Sequence, residues 1–155
     1  MPNYPLGTST VNAPGVVAFP TPLQIGESVY LFGQAVAGIT QLPLNPSNVA
    51  GETPAAGQAS IAVNLDAREG GPAPGVFIEG QFSGAPGAFE VDIQESDTDV
   101  DADYILPTNA TYKVTAVVGN VFRADIIPTG GRFMRAVLVS RANAVSLILK
   151  ITRAQ

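Results

Sequence analysis

With 155 residues, 46% of them hydrophobic and only 14% charged, the chain fits one domain that is poorer in ionisable side chains than most soluble enzymes. It contains no histidine and no cysteine, which removes Ser-His-Asp and Cys-His catalysis, disulfides and the commonest zinc sites together. The net charge of -5 is unevenly spread: residues 1–67 carry -3, residues 68–112 carry -8 and residues 113–155 carry +6, so acidic and basic segments are expected to pair either within the fold or between neighbouring copies.

Residues 1–27 read as an extended N-terminal arm. Pro2, Pro5, Pro14, Pro20 and Pro22 fall within the first 26 residues, which carry no charged side chain. Proline fixes its own φ and has no N–H for a sheet ladder, so the segment suits an arm or a strand edge. Tyr4, Leu6, Val16, Val17 and Phe19 are its candidate docking residues, because a merely disordered tail is usually charged and this one offers apolar groups for burial. Without Lys, Arg or a long apolar run, it reads as neither a signal peptide nor a membrane span, and synthesis in the cytoplasm is the expectation.

Residues 28–155 read as an all-β domain. Short runs rich in Val, Ile, Phe, Tyr and Thr occur at 28–36, 60–65, 76–82, 88–94, 111–118, 121–127, 133–141 and 145–153, broken by turn residues. Residues 37–59, with three prolines, are too irregular to assign. No stretch shows the spacing of an amphipathic helix. About eight strands suit an antiparallel, jelly-roll-like sandwich.

The last four runs predict a meander. Gly119-Asn120 is a two-residue connection, expected to form a II′ turn with glycine at positive φ. "PTGGR" and "RANA" supply the next two turns. Alternation then assigns faces. Phe89, Val91 and Ile93 share a core face, opposite Glu90, Asp92 and Gln94. Strands 133–141 and 145–153 are apolar on both sides, which a covering loop explains as well as burial against another subunit.

After residue 94 the chain turns acidic, with Asp97, Asp99, Asp101 and Asp103 at every second position. Asp97, Asp99 and Asp101 fit positions 1, 3 and 5 of a calcium loop, but position 6 is Ala102 and position 12 is Thr108, so an EF-hand is excluded and only an irregular site of oxygen ligands survives. A glycosidase pair drawn from Glu90, Asp92 or Glu95 would need a cleft and stacking aromatics, and the chain has no tryptophan. On an extended chain these aspartates would line up on one side, which is unfavourable unless water, a cation or a base receives them. The run is therefore read as a solvated loop or strand edge, or as a docking surface for Arg123, Arg132, Arg135 or Arg141.

No phosphate loop or other cofactor motif is present. Nucleic acid is not an expected partner, since the chain is acidic and its bases are interleaved with aliphatic residues. Asn109-Ala110-Thr111 is a glycosylation sequon with no secretion signal to use it.

The order "PGAFEVDIQ", "ESDTDVDADY", a hairpin pair, "RFMRAVLVSR" and "VSLILKITR" resembles small β-sandwich virion proteins of tailed bacteriophages, of the capsid decoration (cement) or head-spike kind. The likeness spans residues 83–155. It implies a non-enzymatic virion component on the capsid surface that binds the major capsid protein, often as a homotrimer, with an arm or sheet edge reaching across neighbouring capsomers. A fibre or spike domain that recognises a host surface glycan is the alternative, because a fold does not fix a function.

Overall fold

The computed structural model describes residues 22–35, 49–65, 75–129 and 131–154. In chain order the strands are β1 (Ser28–Phe32), β2 (Gln34–Ala35), β3 (Val49–Ala50), β4 (Gln58–Ala59), β5 (Val63–Asn64), β6 (Val76–Phe82), β7 (Phe89–Ser96), β8 (Lys113–Val114), β9 (Val121–Ile126), β10 (Phe133–Arg141) and β11 (Leu147–Arg153). The protein is an all-β sandwich of two antiparallel sheets, ordered β1-β11-β6-β9 and β4-β10-β7-β8, with β5 also paired to β10 and a small β2-β3 ribbon.

Alternation places the core between the sheets. One sheet contributes Ile78, Phe82, Leu147, Leu149 and Ile151; the other contributes Val91, Ile93, Met134, Ala136 and Leu138. The inward face of β7 is the one expected from Phe89, Val91 and Ile93, all buried. Leu23, just ahead of β1, also enters this core, and its N–H donates to Asn64 O at 2.8 Å.

The predicted meander does not form. From β8 to β11 the chain alternates between sheets, so β10 and β11 do not pair with each other. Their two-sided apolar sequence explains this: each takes an interior position, β10 between β7 and the short β4 and β5, and β11 between β1 and β6. Residues 83–88 and 142–146 form side-by-side arches across one end of the sandwich. Their backbones are joined by Ser83 N–H to Ser146 O at 2.9 Å, Asn143 N–H to Pro86 O at 2.9 Å and Ala142 N–H to Ala88 O at 2.8 Å. Most outward apolar residues of the two strands are already covered within one chain, with Ile148 4% and Val137 9% exposed, whereas Val139 near the end of β10 is 36% exposed.

Two local expectations are also corrected. The predicted strand over 111–118 shrinks to Lys113–Val114, because Asn109 Oδ1 accepts from both Thr111 N–H and Thr111 Oγ1 at 3.0 Å and starts a 3-10 turn over Ala110–Tyr112. The 119–120 connection has positive φ at both residues, 62° at Gly119 and 68° at Asn120, so the turn is type I′, which asparagine tolerates, and not II′.

Candidate interaction surfaces

Strand β7 carries one side chain into each of two hydrogen-bonded centres at the end of the sandwich where its C-terminus lies. Glu95 shares parity with Phe89, Val91 and Ile93, so it points inward, opposite Met134 in register, and is 2% exposed. Its carboxylate accepts from Tyr112 OH, from Thr129 Oγ1 at 2.9 Å, from Thr129 N–H at 3.1 Å and from Gly131 N–H at 3.1 Å. Several donors on one carboxyl group are what its burial requires. A Cβ on Gly131 would meet Glu95 Cβ at 2.7 Å and Ser96 N at 3.0 Å, so this close approach requires glycine. Tyr112 is fully buried, and burial, then its bond to Glu95, pushes its phenol well above the usual tyrosine range. The backbones of Glu95 and Ile105 exchange two bonds of 2.9 Å, and Tyr112 OH also lies 3.3 Å from Ile127 O. This centre therefore fixes the backbones that present Ile105 and Ile127, two of the most exposed aliphatic side chains.

The second centre lies on the outer face of the same sheet, around Arg135. In register with Gln94, Arg135 donates from Nε to Gln94 Oε1 at 2.9 Å, stacks 4.0 Å over the Tyr104 ring and reaches Asp101 Oδ1 at 2.5 Å. Of the two forms expected for the acidic run, it takes the loop and not the extended edge: it bends after Ser96 and closes as a 3-10 turn over Asp101–Asp103. Bending gives three of the carboxylates different receivers. Asp99 accepts from Tyr104 OH at 2.7 Å, Asp101 from Arg135, and Asp103 from Thr98 Oγ1 at 2.6 Å. Asp97 is exposed beside them. Burial, then the bond to Asp99, raises the Tyr104 phenol.

The other arginines are dispersed. Arg123 on β9 contacts Asp125 at 3.1 Å and Glu79 at 3.9 Å and lies over the Phe77 ring. Arg132 lies over the Phe133 ring, and Arg141 stands opposite Phe89 at the far end of β10. Lys113 with Glu90 and Lys150 with Glu79, each at 3.3 Å, add to a pattern in which bases of residues 113–155 meet acids of residues 68–112 inside one chain. Tyr4, Leu6, Val16, Val17 and Phe19 lie outside the described residues.

Asp92 sits on the outer face of β7, opposite the side that holds Glu95, so these two cannot form a carboxyl pair. Its Oδ1 is buried without a hydrogen-bond partner, and burial, then the neighbouring Glu90 charge, raises its pKa. Among the described residues no group of three or more His, Cys, Asp or Glu side chains is placed to hold a metal ion, and no helix is long and apolar enough to cross a membrane. In the sequence Glu95 is continuous with the acidic run; its parity along β7 is the signal that it belongs inside. Comparison with known proteins returns no match to any family model, curated protein or solved structure.

Proposed function

We propose that the protein is a structural subunit that decorates or cements a protein shell through contacts with the shell and with its own copies, in the manner of a phage capsid decoration protein. The observation that carries this reading is a sandwich that displays aliphatic side chains, with Val118 84%, Ile127 74% and Ile105 63% exposed, on backbone held by tight turns and by the buried Glu95–Tyr112 centre. Numbered over eight principal positions, with β4 and β5 counted as one, the sheets run 1-8-3-6 and 2-7-4-5. That order supports a jelly-roll-like reading, and jelly rolls serve both capsids and lectins. The virion setting itself rests on the sequence resemblance of residues 83–155. Against the lectin reading, no aromatic side chain is among the strongly exposed large apolar residues described, and sugar faces are usually received by aromatics.

Incubating the purified chain with phage capsids that lack it, and in parallel with a glycan panel, separates the two readings. Saturable sedimentation with capsids supports the shell subunit; binding to glycans with none to capsids replaces it with the adhesin.

A further inference from the structure

Among the described residues, strand β9 is an edge of its sheet, paired with β6 and with no other strand. The hydrogen bonds at its start fix which backbone groups face outward. Asn120 O accepts from Phe82 N–H at 2.9 Å, toward β6, whereas Val121 exchanges bonds of 2.9 and 3.2 Å with Val118, away from β6. Alternation along the strand then points the N–H and C=O groups of Arg123 and Asp125 outward, and no backbone partner meets them among the described residues. The strand is regular over its whole length, without proline or bulge.

From this edge we infer that the chain self-associates by antiparallel β9–β9 pairing with a second copy, about a two-fold axis through Ala124. Between Val121, whose outward groups are held by Val118, and Ile127, whose carbonyl accepts from Tyr112 OH, the sequence "FRADI" is complementary to itself in that register: Arg123 faces Asp125, Phe122 faces Ile126 and Ala124 faces Ala124 of the second copy. Arg123 and Asp125 form the hydrogen-bonded type of pair, which the outward direction of their backbone groups requires, and the two-fold axis repeats it. Charges on an edge strand commonly repel another strand. Here the two signs are spaced so that a second copy receives each charge with its opposite. Two four-stranded sheets would become one continuous sheet of eight. The pairing supplies the self-contact of the proposed shell subunit and rests on that reading only for its setting; its two-fold symmetry differs from the trimer implied by the resemblance.

Sedimentation velocity of the full chain from about 1 to about 500 μM, a range suited to an interface this small, should show a monomer–dimer equilibrium. Asp125→Lys and Arg123→Glu, both at exposed positions, should each weaken association by roughly tenfold or more, by setting like charges opposite each other. An equimolar mixture of the two variants again sets opposite charges across both pairs and should recover the dimer. Because the chain has no cysteine, Ala124→Cys provides an independent readout. Non-hydrogen-bonded antiparallel pairs bring Cα atoms to about 4.5 Å, within disulfide reach, so mild oxidation should yield a covalent dimer. A dimer that ignores both charge changes and does not crosslink overturns the pairing. So does a chain that stays monomeric throughout; shell binding by that monomer would leave the function intact. A trimer likewise removes the pairing without touching the function.

Discussion

The aromatic ring of Phe122 fills the place where Gly80 lacks a side chain. The two residues face each other across the β6–β9 pair, and a Cβ at position 80 would overlap the ring. Phe122 thereby lies inward beside Phe82 and Phe89, at centroid distances of 6.0 and 5.9 Å, forming an aromatic cluster near the arches. A glycine inside a strand weakens it in isolation; a facing aromatic restores the lost packing.

Gly80→Ala should therefore destabilise the fold by about 1–3 kcal/mol, the usual range for overpacking. Phe122→Ala should cost about 3–5 kcal/mol, as for other buried aromatics. Because the two changes share one space, the double variant should lose less than their sum. Chemical denaturation of the three variants checks this; full additivity would show that the ring does not depend on the glycine.

Tyr112→Phe removes one donor from the buried Glu95 carboxylate while leaving Thr129 and Gly131 in place. The expected cost is about 1–3 kcal/mol. Glu95→Leu would leave several donors without an acceptor, and faster amide exchange at Gly131 should accompany its loss of stability.

Alkaline pH should unfold the protein cooperatively. Tyr112 and Tyr104 hold their protons more tightly when folded than at the ordinary tyrosine value of 10.0, in both cases chiefly through burial. Their contribution is full below that pH and declines as pH rises through the folded-state values, because the unfolded chain releases its protons first. A stability profile from pH 8 upward, at about half-unit steps, should fall beyond about pH 10 and fall less steeply in Tyr112→Phe.

Asp92 has the same direction of shift with a different consequence. Its carboxyl pKa is raised above 3.8 by burial and then by Glu90, so this group favours the folded state most at acid pH and loses that advantage as pH rises through the folded value. Asp92→Asn should stabilise the protein at pH 7 by about 1 kcal/mol, since the amide removes the buried charge. Equal or lower stability would show that Lys113, across the β7–β8 pair, already compensates it.

Arg135→Lys should loosen the acidic turn although the charge is kept, because an ammonium cannot at once stack on Tyr104 and bond Gln94 and Asp101. Faster hydrogen exchange at Asp103 N–H, which donates to Val100 O at 2.9 Å, is the expected readout.

The strands with clear alternation or apolar content were legible in the sequence. Phe89, Val91 and Ile93 marked the core face of β7, and the mixed faces of β10 and β11 marked strands buried on both sides. Which strands would be neighbours was not legible, because "RANA" serves an arch between sheets as well as a hairpin. Nor was the role of Asn109, whose side chain competes with the ladder over a few residues and halts a stretch of high β propensity. For the acidic run, a loop or a docking surface for arginines was legible, but the bonds that shape it were not. Spacing by two describes an extended chain, but Ser96 Oγ accepts Thr98 N–H at 3.1 Å and starts a bend, and the partner of Asp101 lies on a strand 34 residues away.

Calorimetry of phage capsids with and without the chain tests the shell-binding role most directly. At saturation, the shell transition should rise by several degrees, in proportion to bound copies. An unmoved shell transition, with the chain melting independently at its own temperature, would contradict it.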